Sequence, residues 1–431
     1  MFIVRHSDTD YAAQLDRATT SSSMFDPKIE SRAREILEAV RTRGDAALLE
    51  FTSRFDGANL SAEGIAVSRV ETLAASVSAG TELRSAVTEA SKNITAFSRR
   101  SRRRDWSSKN SHGGVVGEVF QPFQRVGIYI PGGTAPLVST ALMTITLAKV
   151  AGCPEIVVCT PCDKEGSINS ALLFAAVQAG ATEIHRLGGA QAIAAMAYGT
   201  QSIRRVNKVF GPGNAYVVAA KRLLFGQIAI DLLPGPSEVL VLADDTADPR
   251  SAAADLLAQA EHGSGHERVW LVTPSLKVLK AVDREIQRQL PTLKRRGFIQ
   301  RALDANGWLI QVPDMETGVA LANRLAPEHC ELMIRDARKW AAQIRTAGAL
   351  FLGNSSPTVL GDYVAGPSHT LPTGGGGASF AGLTVDQFQR RTSVIEYGRP
   401  ALKKALGAVR CFAGLEGLDA HGRSADIRFS K

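Results

Sequence analysis

The sequence predicts an α/β protein with two parallel-sheet domains, a helical N-terminal part and a small C-terminal tail. Short apolar runs alternate with helical stretches from about residue 125, the pattern of βα units that build a parallel sheet. The alternation restarts after Gly235-Pro236-Ser237, so a second sheet follows the first. A chain of 431 residues also exceeds what one hydrophobic core organises.

The elements follow in order. Residues 1–25 are polar and rich in small side chains and read as an arm. Asp26 as N-cap and Pro27 at the first helical position open a helix with Ile29, Ala33, Ile36, Leu37 and Val40 on one face, and Gly44 ends it. Asp45 caps a second helix carrying Leu48, Leu49, Phe51 and Phe55, and the chain stays mainly helical to about 105. Strands are predicted at Val126–Ile130, Glu155–Thr160, Glu183–Leu187 and Val206–Phe210, with helices between them, one over Ala135–Val150. After residue 237 come strands at Glu238–Ala243, Arg268–Thr273, Trp308–Val312, Glu331–Ile334 and Ala349–Leu352, and a helix from Asp248-Pro249 to about His262. A glycine-rich loop from Gly366 to Gly377 precedes a C-terminal strand and helical tail at 392–431.

Composition excludes several classes. The chain is 45% hydrophobic and 21% charged, and no run reaches the roughly 18 apolar residues of a membrane span. The start, MFIVRHSDTDYAAQ, has neither a long apolar segment nor a small-residue cleavage site, so a cytoplasmic protein is expected. Five cysteines, an odd and sparse set, suit a reducing compartment. Cys159-Thr160-Pro161-Cys162 matches a redox spacing, but it follows the apolar run Ile156-Val157-Val158 and reads as strand-end packing. The net charge of +8 owes much to Arg99-Arg100-Ser101-Arg102-Arg103-Arg104. That run ends a helical stretch with few aromatics to stack bases, so it reads as a solvated, dipole-favoured helix end rather than a nucleic-acid site.

Four of the eight histidines stand near carboxylates: His262 beside Glu261, His329 beside Glu328, His369 after Asp362, and His421 after Glu416. Carboxylates orient imidazoles, share their protons or join them on a cation. Gln259 and His262, three apart, share a helix face and suit one metal, although glutamine is an uncommon zinc ligand. With Asp362 and one further histidine they make a mixed N/O set suited to zinc; spacing does not choose between His369 and His421. In Ala326-Pro327-Glu328-His329, Pro327 disfavours helical geometry at Ala326. Extended backbone there sends Glu328 and His329 to opposite sides, as a base and a water-activating acid acting in different steps. The glycine turns at 131–133, 188–191 and 211–214 suit a phosphate near helix N-termini, yet none completes G-x-G-x-x-G and no clear ribose-binding acid follows.

The segments RVGIYIPGG, GGAQAIAA, FGPGNAYV, GPSEVLVLAD, LLAQAEHG, LAPEHCEL, GDYVAGPSHTLPTGG, FQRRTSVIEYG and LEGLDAH resemble, in order, the motifs of the histidinol dehydrogenase family. The resemblance runs from about residue 30 to the end. It implies two-step NAD+-dependent oxidation of L-histidinol, through L-histidinaldehyde, to L-histidine, the last steps of histidine biosynthesis. It implies one zinc per subunit on Gln259, His262, Asp362 and His421, and Glu328 and His329 as the catalytic pair. Ser237, Gln259, His262, His329, Asp362, His369, Glu416 and His421 become substrate contacts, and Tyr129, Gln191 and Asn214 NAD contacts. It further implies two Rossmann-like domains, 126–237 for NAD and 26–125 with 238–380 for the catalytic and metal residues. Residues 381–431 become a dimerisation tail that completes the partner's site within a homodimer. Small departures, Ser368 for Asn and Cys330 for Leu, touch no implied ligand. A related zinc- and NAD-dependent enzyme such as a sulfopropanediol dehydrogenase is the alternative. A zinc hydrolase using Glu328 is a further class, separated by whether histidinol and NAD+ give NADH.

Overall fold

The computed structural model describes residues 1–20, 26–132 and 136–430. The end of the predicted arm (21–25), Gly133 of the first glycine turn and the Ala135 helix start lie outside the described residues. In chain order the strands are β1 (Phe2–Arg5), β2 (Trp106–Lys109), β3 (Val115–Pro122), β4 (Arg125–Tyr129), β5 (Glu155–Thr160), β6 (Glu183–Arg186) and β7 (Lys208–Phe210). They continue with β8 (Ala229–Ile230), β9 (Glu238–Ala243), β10 (Arg268–Thr273), β11 (Gly307–Gln311), β12 (His329–Met333), β13 (Ala349–Leu352) and β14 (Gln389–Glu396).

The predicted α/β class is the one observed. One parallel sheet runs β6-β5-β4-β7-β8 and a second β1-β11-β10-β9-β12-β13. In the first, strand order reverses between β4 and β7, where an open α/β sheet forms a ligand crevice at its carboxyl edge. Gly211, which leaves β7, has φ +111°, and a Cβ there would lie 2.0 Å from the Tyr129 carbonyl oxygen, so only glycine fits.

The N-terminal segment corrects the expectation of an arm. Phe2–Arg5 pairs in parallel with β11 as the edge of the second sheet, and a helix, Tyr11–Thr19, follows. The Ala18 carbonyl accepts from Trp270 Nε1 at 3.2 Å and from Arg268 at 2.9 Å. A strand of four residues is too short to show its period in a sequence.

The helices between residues 27 and 101 correct a second expectation, the grouping of 26–125 with 238–380. Ile36, Leu37, Val40 and Leu48 share a core with Tyr129, Val157 and Leu187, while Val87, Ala90 and Ile94 share one with Val126, Ile128 and Ile145. Both faces of the first sheet are therefore covered twice, by its own helices and then by this layer. The second sheet buries its own core around Val241, Leu256, Leu271 and Leu309 on one face and Leu240, Trp270 and Cys330 on the other. The C-terminal strand β14 joins β3 and β2 in a small antiparallel sheet, followed by helices Arg399–Leu415 and Asp419–Asp426. No helix among the described residues is long and apolar enough to cross a membrane.

Candidate active site

The catalytic candidates sit at the amino edge of the second sheet. β9 opens with Glu238 and β12 with His329, and His329 pairs in register with Val239, the residue after Glu238. A helix that returns antiparallel to its strand ends at that same edge. Helix Pro249–Ala260 thus delivers Gln259 and His262, and helix Thr358–Tyr363 delivers Asp362.

Ala326, before Pro327, takes φ +45° and ψ 56° and is the one non-glycine residue with positive φ among those described. Proline does exclude right-handed helical geometry here, and the chain leaves helix Met315–Leu325 through a left-handed turn. Glu328 and His329 do not diverge as extended backbone implied. Glu328 Oε2 accepts the Glu238 N–H at 2.8 Å, His329 Nδ1 bonds the Glu238 carbonyl at 3.0 Å, and the two groups approach to 3.6 Å. The sharp turn brings both side chains onto the backbone of one residue, Glu238.

Three imidazoles share one arrangement. His329 Nδ1 meets the Glu238 carbonyl, His262 Nδ1 the Gln259 carbonyl and His369 Nδ1 the Asp362 carbonyl, each at 3.0 Å. A carbonyl only accepts, so each Nδ1 carries a proton, and in the neutral ring it is Nε2 that holds the lone pair. His369 Nε2 lies 3.2 Å from Thr140 Oγ1, and His329 Nε2 lies 3.8 Å from Asp362 Oδ1 without a hydrogen bond. Burial lowers the pKa of His329 and His369, offset by the Asp362 carboxylate. Burial also pushes the Glu328 carboxyl well above its usual range, reinforced by Glu238 and Asp362. Glu238 itself, 3.6 Å from Arg268, rises to about 7 by burial.

Ser237 precedes Glu238 at this edge, and Ser368 Oγ donates to the Met143 carbonyl at 3.2 Å, stitching the His369 loop to helix Val138–Ala151. Glu416 and His421 are not brought to this cluster by their own chain; both are exposed on the tail. Accordingly, no group of three or more His, Cys, Asp or Glu side chains among the described residues is arranged to hold a metal. The partial set still fits one: the Gln259 side-chain amide is buried, with its nitrogen unpartnered and its oxygen the atom a metal would take, His262 holds its Nδ1 on the Gln259 carbonyl so that Nε2 is the donor, and the Asp362 carboxylate stands 3.8 Å from His329 in the same cluster. Nitrogen and oxygen donors of this kind suit zinc once a further donor joins them.

At the carboxyl edge of the first sheet opens a cavity of about 1290 Å³ lined by Tyr129, Gln191 and Asn214 among others. Tyr129 Oη accepts the Gly189 N–H at 3.0 Å, and Asn214 Oδ1 caps helix Ala215–Leu224 through Tyr216 and Val217. Both amide atoms of Gln191 are buried without a partner. Pro136 lines this cavity and, one turn on, Thr140 meets His369, so one helix start joins the cavity to the imidazole cluster. Sequence reasoning missed Thr140 and Glu238; a glutamate opening the apolar run EVLVLA was the one visible signal.

The chain resembles known proteins along its whole length. Residues 19–429 match the family model described as histidinol dehydrogenase. It is 45% identical over 397 residues to the histidinol dehydrogenase of Geobacillus kaustophilus (strain HTA426), covering 92% of this chain and 93% of that one. It is 42% identical over 428 residues to that of Syntrophotalea carbinolica, covering 99% of each. The crystal structure of histidinol dehydrogenase from Elizabethkingia anophelis superposes with a TM-score of 0.94 at 35% identity, over 100% of this chain and 98% of that one. The chain belongs to the histidinol dehydrogenase family.

Proposed function

We propose that this chain oxidises L-histidinol in two steps, through L-histidinaldehyde to L-histidine, reducing two NAD+. The carrying observation is the neutral, buried His329, whose Nδ1 is fixed on the Glu238 carbonyl while Nε2 stays free beside Asp362. That is the state a general base needs. His329 Nε2 takes the hydroxyl proton of histidinol as the alcohol carbon loses hydride. Glu328, 3.6 Å from His329, handles the proton of the water that adds to the aldehyde, and the hydrate then loses the second hydride to become the carboxylate. Burial of Glu328 and His329 keeps bulk water from the aldehyde between the steps. NAD+ in the Tyr129–Gln191–Asn214 cavity supplies the hydride acceptor.

Gln259, His262 and Asp362 would hold zinc with His421 of a second copy, and the metal would supply a template that orients the substrate's imidazole and amino nitrogens. Ser237, His369 and Glu416 are the further substrate contacts in this reading. A homodimer is supported by the tail, where Phe412, Leu415, Leu418 and Ile427 are exposed apolar side chains on the helices that carry Glu416 and His421. All five cysteines are free, which supports a cytoplasmic enzyme. The test is NADH formation from L-histidinol: two NADH and one histidine per histidinol are expected. Turnover of a sulfonated diol with none of histidinol overturns the assignment.

A further inference from the structure

The cavity at the carboxyl edge of the first sheet holds four buried polar atoms without partners: Gln191 Nε2 and Oε1, Thr160 Oγ1 and Asp56 Oδ2. Buried polar groups are normally bonded, so a cluster of unpartnered ones on one cavity wall points to the ligand that satisfies them. Asp56 is the charged member and comes from outside the sheet, as the last residue of helix Asp45–Asp56 in the covering helical layer.

Its position is built. A Cβ on Gly188 would fall 3.3 and 3.4 Å from the two Asp56 carboxylate oxygens and 2.8 Å from Pro161, so glycine at the end of β6 makes room for the carboxylate. Asp56 therefore stands where β5 and β6 end, on the side of β4 away from the β4–β7 crevice. Dinucleotide folds place their ribose-binding acid at the end of the second strand, which here is β5. The acid found there in sequence, Asp163, is already used: its Oδ1 accepts Ser167 N–H at 2.7 Å and Glu165 N–H at 3.1 Å. Glu35, the other acid at the cavity, is exposed at its mouth.

We infer that Asp56 is the ribose-recognising acid of this enzyme, accepting the 2′-hydroxyl of the adenosine ribose and disfavouring a 2′-phosphate there. The inference rests on the reading of the cavity as the NAD site. Burial raises the carboxyl to about 6, so the group is ionised at neutral pH yet lacks donors, the shortage a ribose hydroxyl relieves.

The test uses the full-length enzyme with saturating histidinol and compares NAD+, 2′-deoxy-NAD+ and NADP+ for wild type, Asp56→Asn and Asp56→Ala. A hydrogen bond to a charged acceptor predicts that wild type loses about 10- to 100-fold in kcat/KM without the 2′-hydroxyl. Asp56→Ala should lose a similar factor with NAD+, mainly in KM, and discriminate little between NAD+ and the deoxy form; Asp56→Asn should narrow the preference for NAD+ over NADP+. The asparagine variant is isosteric and guards against misfolding of the alanine one. If both variants keep the wild-type response to the 2′-hydroxyl, the role of Asp56 is overturned while the cavity reading stands. If wild type reduces no NAD+ with histidinol, the cavity reading itself fails.

Discussion

Asp255 and Glu331 form a buried carboxyl pair behind the proposed catalytic edge. Glu331 lies two residues beyond His329 on β12, Asp255 one turn before Gln259, and Glu331 Oε1 accepts the N–H of Thr358, which opens the helix ending near Asp362, at 2.7 Å. One acid pair thereby ties the three elements that carry the proposed site.

Burial, and then the Asp255 charge, raise Glu331, and burial raises Asp255, so both carboxyls hold their protons above the ordinary carboxylate range. A raised acid means the folded state holds more protons than the unfolded chain. Its stabilisation is complete below the ordinary carboxyl range and falls as pH rises, levelling once both carboxyls are ionised. The slope reaches about 1.4 kcal/mol per pH unit for each extra proton. Glu331→Gln, neutral at every pH, should flatten that slope while keeping the acceptor for Thr358. Melting temperature against pH measures it; an unchanged slope places its source elsewhere.

On the proposed roles, loss of His329 should separate from loss of Glu328. His329→Asn is expected to lower kcat for histidinol by about 10²–10⁴. Glu328→Gln should slow oxidation of histidinaldehyde more than that of histidinol. Rapid-quench assays started from each substrate report both steps. Equal slowing of the two steps in Glu328→Gln contradicts its assignment to hydration.

A shared site predicts complementation. His421→Asn and His329→Asn are each expected to be nearly inactive. Unfolded and refolded together in equal amounts, half of the mixed dimers' sites, about a quarter of all sites, should regain both wild-type groups, with activity rising to match. No recovery in a sample shown to contain mixed dimers would argue that His421 acts within its own chain or not at all.

The turn beside the proposed NAD cavity rests on another buried pair. Lys221 bonds Asp231 with both side chains fully buried. Lys221 Nζ also donates to the Gly211 carbonyl at 3.0 Å, and Asp231 Oδ2 accepts the Gly211 N–H at 2.7 Å. Asp231→Ala strands a buried ammonium and should cost about 3–5 kcal/mol. Because Asn214 follows that turn, KM for NAD+ should rise as well. Denaturant unfolding and a cofactor titration read the two effects, and an unaltered KM would separate the turn from the cavity.

Much of this was legible in the chain. Periodicity and turn residues marked the βα units, and motifs such as AQAEH, APEH and GDY marked residues that the fold gathers at one sheet edge. Those signals are local: they depend on backbone preference and on side chains a few positions apart. Packing partners carry no such mark. Nothing near Ile36 or Val87 says which sheet they cover, and Phe2–Arg5 is too short to display a strand's period. The sequence by itself determined the class of fold and the chemical types available. Only the tertiary structure decided that Glu328 and His329 converge on Glu238, that Thr140 meets His369, and that Asp56 reaches a cavity built by another layer. Burial does this: it brings distant polar groups together and withdraws water from them, and the proton states of His329, Glu328 and Glu331 follow from that withdrawal.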